Sequence, residues 1–227
     1  MLTLLSDDVS QFPPVGKALA EPNGLLAVGG DLQPERLLHA YRQGIFPWYG
    51  EGEPIMWWSP EPRCVVPAAT YAPNRTLRKL WRNHPFTITY NQCFNRVIEM
   101  CAEETATRPE TWIIDDMIDA YKTLHRMNHA HSIEIWLGNK LVGGLYGLQI
   151  GGVFCGESMF SRHTGASKVA FLALVEQMKH KQLPLLDCQL ENDHLMNLGA
   201  SLMHRADFIT SLSTCAALSR EAIFNDE

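Results

Sequence analysis

From His131 to Phe160 the chain reads HSIEIWL, GN, KLVGGLYGLQI, GG and VFCGESMF. Apolar runs separated by glycine-containing pairs favour tight turns between strands. The pattern predicts three consecutive antiparallel strands, 131–137, 140–150 and 153–160. A meander of this kind must bury at least one face, so the rest of the chain has to supply a covering layer.

The flanking sequence supplies it. FTITY (86–90) alternates as a strand, and Asn91 precedes a helical run with Phe94, Val97, Ile98 and Cys101 on one side. A second helix is expected from about Asp115, with Ile118, Tyr121 and Leu124 inward, and a long one from Gly165 to Lys181. PLLDCQL (184–190) predicts another strand, Asn192 caps a short helix, SLMH (201–204) predicts a strand, and a last helix starts near Asp207. The alternation makes an α/β (α+β) chain with a mixed sheet. Residues 1–62 differ: FPPVG, EPNG, GG, FPW, GEGEP and SPEP are turn formers, with one helix expected behind Pro34 and ended at Gly44. We therefore expect a small loop-rich domain over 1–62, packed on a larger one over 63–227.

The 227 residues are 46% hydrophobic, which argues against disorder. The longest apolar stretch, Leu141 to Cys155, is broken by glycines and Gln149 and falls short of the roughly 18 residues that a membrane helix needs. The N-terminus lacks the pattern of a signal peptide, and the six cysteines form no C-x-x-C pair, so a cytoplasmic protein with reduced thiols is expected. The net charge is −6, yet Arg63 to Arg82 holds five basic and no acidic residues. On a helix capped by Asn74, Arg75, Arg78, Lys79 and Arg82 share one face, with Leu77, Leu80 and Trp81 on another. Such a stripe either meets a polyanion or is a solvated helix face.

Strict alternation puts Leu185, Asp187 and Gln189 on one strand face and Leu186 and Cys188 on the other. An acid and an amide side by side either end a strand or hold a nucleophile in place. An α-amine, already partly neutral near its pKa of about 7.7–8.0, needs placement more than deprotonation. Glu157, in FCGESMF, is either paired within a core or faces a cleft that attracts a cation. Trp48 and Trp112 are core aromatics or stacking platforms for bases. His125, His129, His131 and Glu134 are spaced for a metal, but the histidines do not share a face, and no metal site is expected. The G-x-S-x-G elbow of serine hydrolases is missing.

The element order resembles the acetyltransferase-like (GNAT-type) fold, whose sheet splays to admit an acyl donor. The coenzyme A loop of that fold is replaced here by FSRHTGASK, with a single glycine. More specific motifs run in order along nearly the whole chain: EPNGLLAVGGDL (21–32), QGIFPWY (43–49), WWSPEPR (57–63), ETWI (110–113), HAHSIEIW (129–136), LVGGLYG (141–147), FCGESMFS (154–161), ASK (166–168) and DCQ (187–189). Together they resemble the bacterial leucyl/phenylalanyl-tRNA–protein transferases.

The resemblance implies a cytoplasmic, monomeric enzyme without cofactor or metal. It would move Leu or Phe (Met less well) from aminoacyl-tRNA to the α-amine of proteins beginning with Arg or Lys, creating an N-degron. By the same resemblance, Asp187 and Gln189 are the acid–amide relay, and Trp48, Trp112 and Phe154 lie near the terminal adenosine of the tRNA. Glu157 lies near the acceptor's amino terminus. Leu145, Met159, Phe171, Leu174, Met178 and Leu186 form the side-chain pocket, and Arg75, Arg78, Lys79 and Arg82 grip the acceptor stem. Periodicity alone puts Phe171, Leu174 and Met178 on one helix face. Alternation points Leu186 away from Asp187, so its pocket role requires a bulge or access from the sheet edge. The alternatives are a coenzyme A-dependent N-acetyltransferase and a non-catalytic module for the tRNA 3′ end.

Overall fold

A computed structural model describes residues 2–104, 111–216 and 222–224. Glu110 of the ETWI motif lies outside them. The first strands are short: β1 (Thr3–Leu5), β2 (Leu25–Gly29), β3 (Phe46–Pro47) and β4 (Met56–Trp58) form a sheet in the order β1-β2-β4-β3. Helix α1 (Pro34–Arg42) opens on Pro34 and presents Leu37, Leu38 and Tyr41 inward. The stretch expected to be mostly loop thus holds a small sheet. Its strands of two to five residues, wedged between turns, are too short to show periodicity.

The second sheet has seven strands in the order β11-β5-β10-β9-β8-β7-β6. They are β5 (Arg63–Pro67), β6 (Thr87–Tyr90), β7 (Ala130–Leu137), β8 (Lys140–Ile150), β9 (Val153–Ser161), β10 (Leu185–Gln189) and β11 (Ser201–Met203). The predicted meander is β7-β8-β9, with its turns at the predicted glycines. Strand β5 was not expected, and it pairs antiparallel with both β10 and β11. Helices α3 (Phe94–Ala102), α4 (Asp115–Arg126) and α7 (Arg205–Ala216) lie on one face of this sheet, together with α1 and the small sheet. Helices α2 (Arg75–Asn83) and α5 (Ala166–His180) cover the other, and α6 (Asp193–Leu198) follows β10. The two faces are two apolar cores, and the strands alternate between them: Val65, Tyr146, Cys155 and Leu185 face one, Cys64, Val66, Leu145, Phe154 and Leu186 the other. At Gly143 the backbone of α5 comes so close that a Cβ would sit 2.5 Å from that of Ala166.

Where the sheet opens governs the site. β9 and β10 run parallel and pair over only three positions, ending at Asp187↔Cys155. Beyond that point β9 continues against β8 alone, leaving a gap between β9 and β10. Each of the two strands carries a bulge at the gap. The β8–β9 register passes from Gly147↔Gly156 to Tyr146↔Ser158, so Glu157 is the extra residue. The β10–β5 register passes from Asp187↔Val65 to Gln189↔Cys64, so Cys188 is the extra residue. Bulges re-aim side chains and favour sites of function. Gly147 makes the first one possible, because a Cβ there would lie 2.2 Å from the Cys155 carbonyl oxygen.

Candidate active site in the splayed sheet

The gap is the mouth of a cavity of about 540 Å³. Leu145 of β8, Met159 of β9, Leu186 of β10 and Phe171 and Leu174 of α5 make an apolar wall, and Trp48 and Trp112 also line it. Trp48 is 39% exposed. Its carbonyl accepts from Trp58 Nε1 at 2.6 Å, and the two indoles meet edge to face. Glu157 and Gln189, one from each side of the gap, meet inside the cavity, where Gln189 Nε2 donates to Glu157 Oε1 at 2.9 Å. The Tyr121 hydroxyl donates to the other carboxylate oxygen at 3.1 Å, and Tyr41 is hydrogen-bonded to Tyr121 behind it. Burial pushes the Glu157 carboxyl up to about 7, against the pull of these two hydroxyls. Both tyrosines are pushed well above 10, first by burial and next by the Glu157 charge, so they remain hydroxyl donors.

Asp187 lies behind the cavity wall, 1% exposed. Arg63 grips it with two 2.7 Å bonds, from Nε and Nη2, and the guanidinium donates to the Gly44 carbonyl while lying between the rings of Phe46 and Phe208. Asp187 Oδ1 also accepts from the backbone N–H of Gln189 at 3.0 Å. The expected contact between the acid and the carboxamide is therefore replaced by two others: Asp187 holds the backbone of Gln189, and Glu157 takes its amide. That backbone needs holding, because Gln189 has φ +59°, a left-handed conformation disfavoured for a residue with a Cβ.

Nine of the residues expected near the substrates line the cavity: Trp48, Trp112, Leu145, Glu157, Met159, Phe171, Leu174, Leu186 and Gln189. Leu186 reaches it because the sheet is open there, on the face opposite Asp187. Phe154 and Met178 are fully buried in the core behind the wall. Tyr41, Tyr121 and Arg63 were missed. Each contacts a residue tens of positions away, and no local pattern marks such pairs. Arg75, Arg78, Lys79 and Arg82 lie together along the outer face of α2, where they line a shallow depression. Leu77 is buried, with Leu80 and Trp81 packed against the same core. The Asn74 side chain caps α2 by accepting from the Leu77 N–H at 3.0 Å, a contact contributing about 1 kcal/mol.

The histidines are held in other ways. His125 stacks on Phe94 and bonds the Ala130 carbonyl, and buried His131 bonds Asn91 and is lowered to about 4 by burial. Glu134 accepts from Thr89 and Ser132 at 2.6 Å each.

The family model described as leucyl/phenylalanyl-tRNA protein transferase matches residues 65–213, and that of its N-terminal domain matches residues 30–61. A leucyl/phenylalanyl-tRNA–protein transferase of Shewanella piezotolerans is 51% identical over 93% of this chain and 89% of its own length. One of Stutzerimonas stutzeri is 51% identical over 94% of both chains. Similar solved structures are distant. L-PGS from Bacillus licheniformis is 13% identical over 60% of this chain and 49% of its own, with a TM-score of 0.42. A GCN5-related N-acetyltransferase-like protein from Streptococcus suis is 14% identical over 71% and 60%, with a TM-score of 0.35. On the match of both family models and the identity over nine-tenths of its length, the chain belongs to the leucyl/phenylalanyl-tRNA–protein transferase family.

Proposed function

We propose that this protein transfers a leucyl or phenylalanyl group, and methionyl less well, from the 3′ end of tRNA to the α-amine of a protein beginning with Arg or Lys. One observation carries the reading: a carboxylate and a carboxamide meet inside an apolar cavity that two tryptophans flank. The cavity takes the donor's side chain, the tryptophans take its terminal base by stacking, and the basic face of α2 takes the acceptor stem. Glu157, in its ionised form, attracts the cationic start of the acceptor. Gln189, whose amide N–H is committed to Glu157, keeps its carbonyl oxygen to orient the amine. The amine nitrogen bonds to the ester carbonyl carbon, the bond from that carbon to the ribose oxygen breaks, and a proton passes from nitrogen to the departing oxygen. Forming an amide from an activated ester is downhill, so the work is alignment and stabilisation of developing charge. The enzyme acts as a cytoplasmic monomer, and its product is an N-degron for ATP-dependent proteolysis.

The test supplies labelled Leu-tRNA or Phe-tRNA with an Arg-initiated peptide. The peptide should lengthen by one residue, and a peptide beginning with a neutral residue should not. Acetylation of the same peptide from acetyl-CoA, without extension from charged tRNA, would overturn the reading.

A further inference from the structure

Cys188 is the extra residue of the β10 bulge, next in sequence to Gln189. Having no partner of its own in the register, it shares the place opposite Cys64 of β5. Both side chains face the α5 side and belong to the same apolar cluster, and Cys188 also lines the cavity. The contact between the two thiols lowers Cys64 and raises Cys188. The register pairs Cys64 with Gln189, and Cys188, inserted next to Gln189 on the same sheet face as Cys64, is its neighbour across the two strands; a disulfide needs Cα atoms about 4.4–6.8 Å apart. Cys64 is wholly buried and Cys188 lines the cavity, so a reagent that enters the cavity passes Cys188 to reach Cys64.

We propose that Cys64 and Cys188 are an oxidation site, closed to a disulfide by a hydroperoxide that enters through the cavity. The Cys64 sulfur, the more acidic of the two, attacks the peroxide, giving a sulfenic acid and releasing water when the oxidant is hydrogen peroxide. The Cys188 sulfur then attacks the Cys64 sulfur and expels a second water. Two thiols and one peroxide yield one disulfide and two waters, and a dithiol reductant reverses the change. The new bond fixes the bulge that sets Gln189, so the cross-linked protein loses transfer activity.

The full-length protein is treated with hydrogen peroxide, digested without reduction, and mapped by mass spectrometry. A peptide joining Cys64 to Cys188 and lighter by two hydrogens is expected. Activity should fall with its appearance and return with dithiothreitol. Cys64→Ala and Cys64→Ser should each keep basal activity and lose the reversible inhibition. The proposal is overturned if no joined peptide forms under peroxide, or if either folded variant is inhibited and rescued as the parent is. The joined peptide is read without any assay of transfer, so its absence and a failure of the functional reading are separate results.

Discussion

Burial holds the Glu157 carboxyl at about 7, so near neutrality only part of the population carries the charge that the proposed function assigns to binding a cationic acceptor. With an Arg-initiated peptide, kcat/KM is expected to rise with pH through two groups: this carboxyl, and the acceptor's α-amine near about 7.7–8.0. In Glu157→Gln the lower step should vanish and the overall value fall about ten- to a hundredfold, since hydrogen bonds to charged groups contribute about 1.5–3 kcal/mol. A variant profile that keeps both steps would assign the lower one to another residue. Stability should respond in the opposite sense. The folded state binds this proton more tightly than the unfolded chain, whose value is near 4.5. That contribution is complete below about pH 4.5 and is lost as the pH climbs through about 7. Glu157→Gln is therefore expected to melt at a higher temperature than the parent at pH 8, and to show little difference at pH 4.5. Thermal unfolding at the two pH values decides it. On the proposed function, the charge of Glu157 at the site offsets this cost in stability.

The elements show which parts of this arrangement a sequence can carry. The meander β7-β8-β9 was legible because its runs are long, apolar and separated by glycine turns, and α5 because it is long. The two bulges were not legible, since alternation assumes one partner per residue. Alternation put Asp187 and Gln189 on one strand face, and the inserted Cys188 is what directs their contacts elsewhere. Leu186 joined the cavity for a related reason, because β9 leaves β10 after three pairs. The α2 stripe lies at the other extreme, legible in full from spacing and the Asn74 cap. Its role belongs to the whole element: apolar residues fix the helix on the core while four cations stand outward. Replacing Arg78 and Arg82 by Glu should weaken tRNA binding and lower the slope of log affinity against log salt by about 2, one unit per lost phosphate contact. Filter binding at several salt concentrations measures it, and an unchanged slope would make the stripe a solvated helix face.

At the scale of the molecule, the site depends on both sheets. Trp48 follows the small sheet's β3, Tyr41 comes from α1, and Glu157 and Gln189 come from the large sheet, yet α1, α4 and α7 share one core. The Arg63–Asp187 pair fastens this arrangement across 124 residues, joining β5, β10, the Gly44 turn and the ring of Phe208. Desolvating two charges offsets much of their attraction, but removing one partner strands the other and costs about 3–5 kcal/mol, a large share of the ~5–15 kcal/mol that holds a domain folded. Two roles for Asp187 can then be separated. If it acts by holding the Gln189 backbone against its left-handed strain, Arg63→Met and Asp187→Asn should both lower stability, because each breaks the same bidentate contact. In conditions where each variant is folded, their single-turnover rates at saturating aminoacyl-tRNA should then fall by similar factors. A general base at Asp187 would make Asp187→Asn far slower than Arg63→Met at matched stability. Urea unfolding paired with single-turnover transfer distinguishes the two. Equal losses are expected, because both oxygens of Asp187 are committed to the guanidinium and the one nearer Gln189 already accepts its backbone N–H.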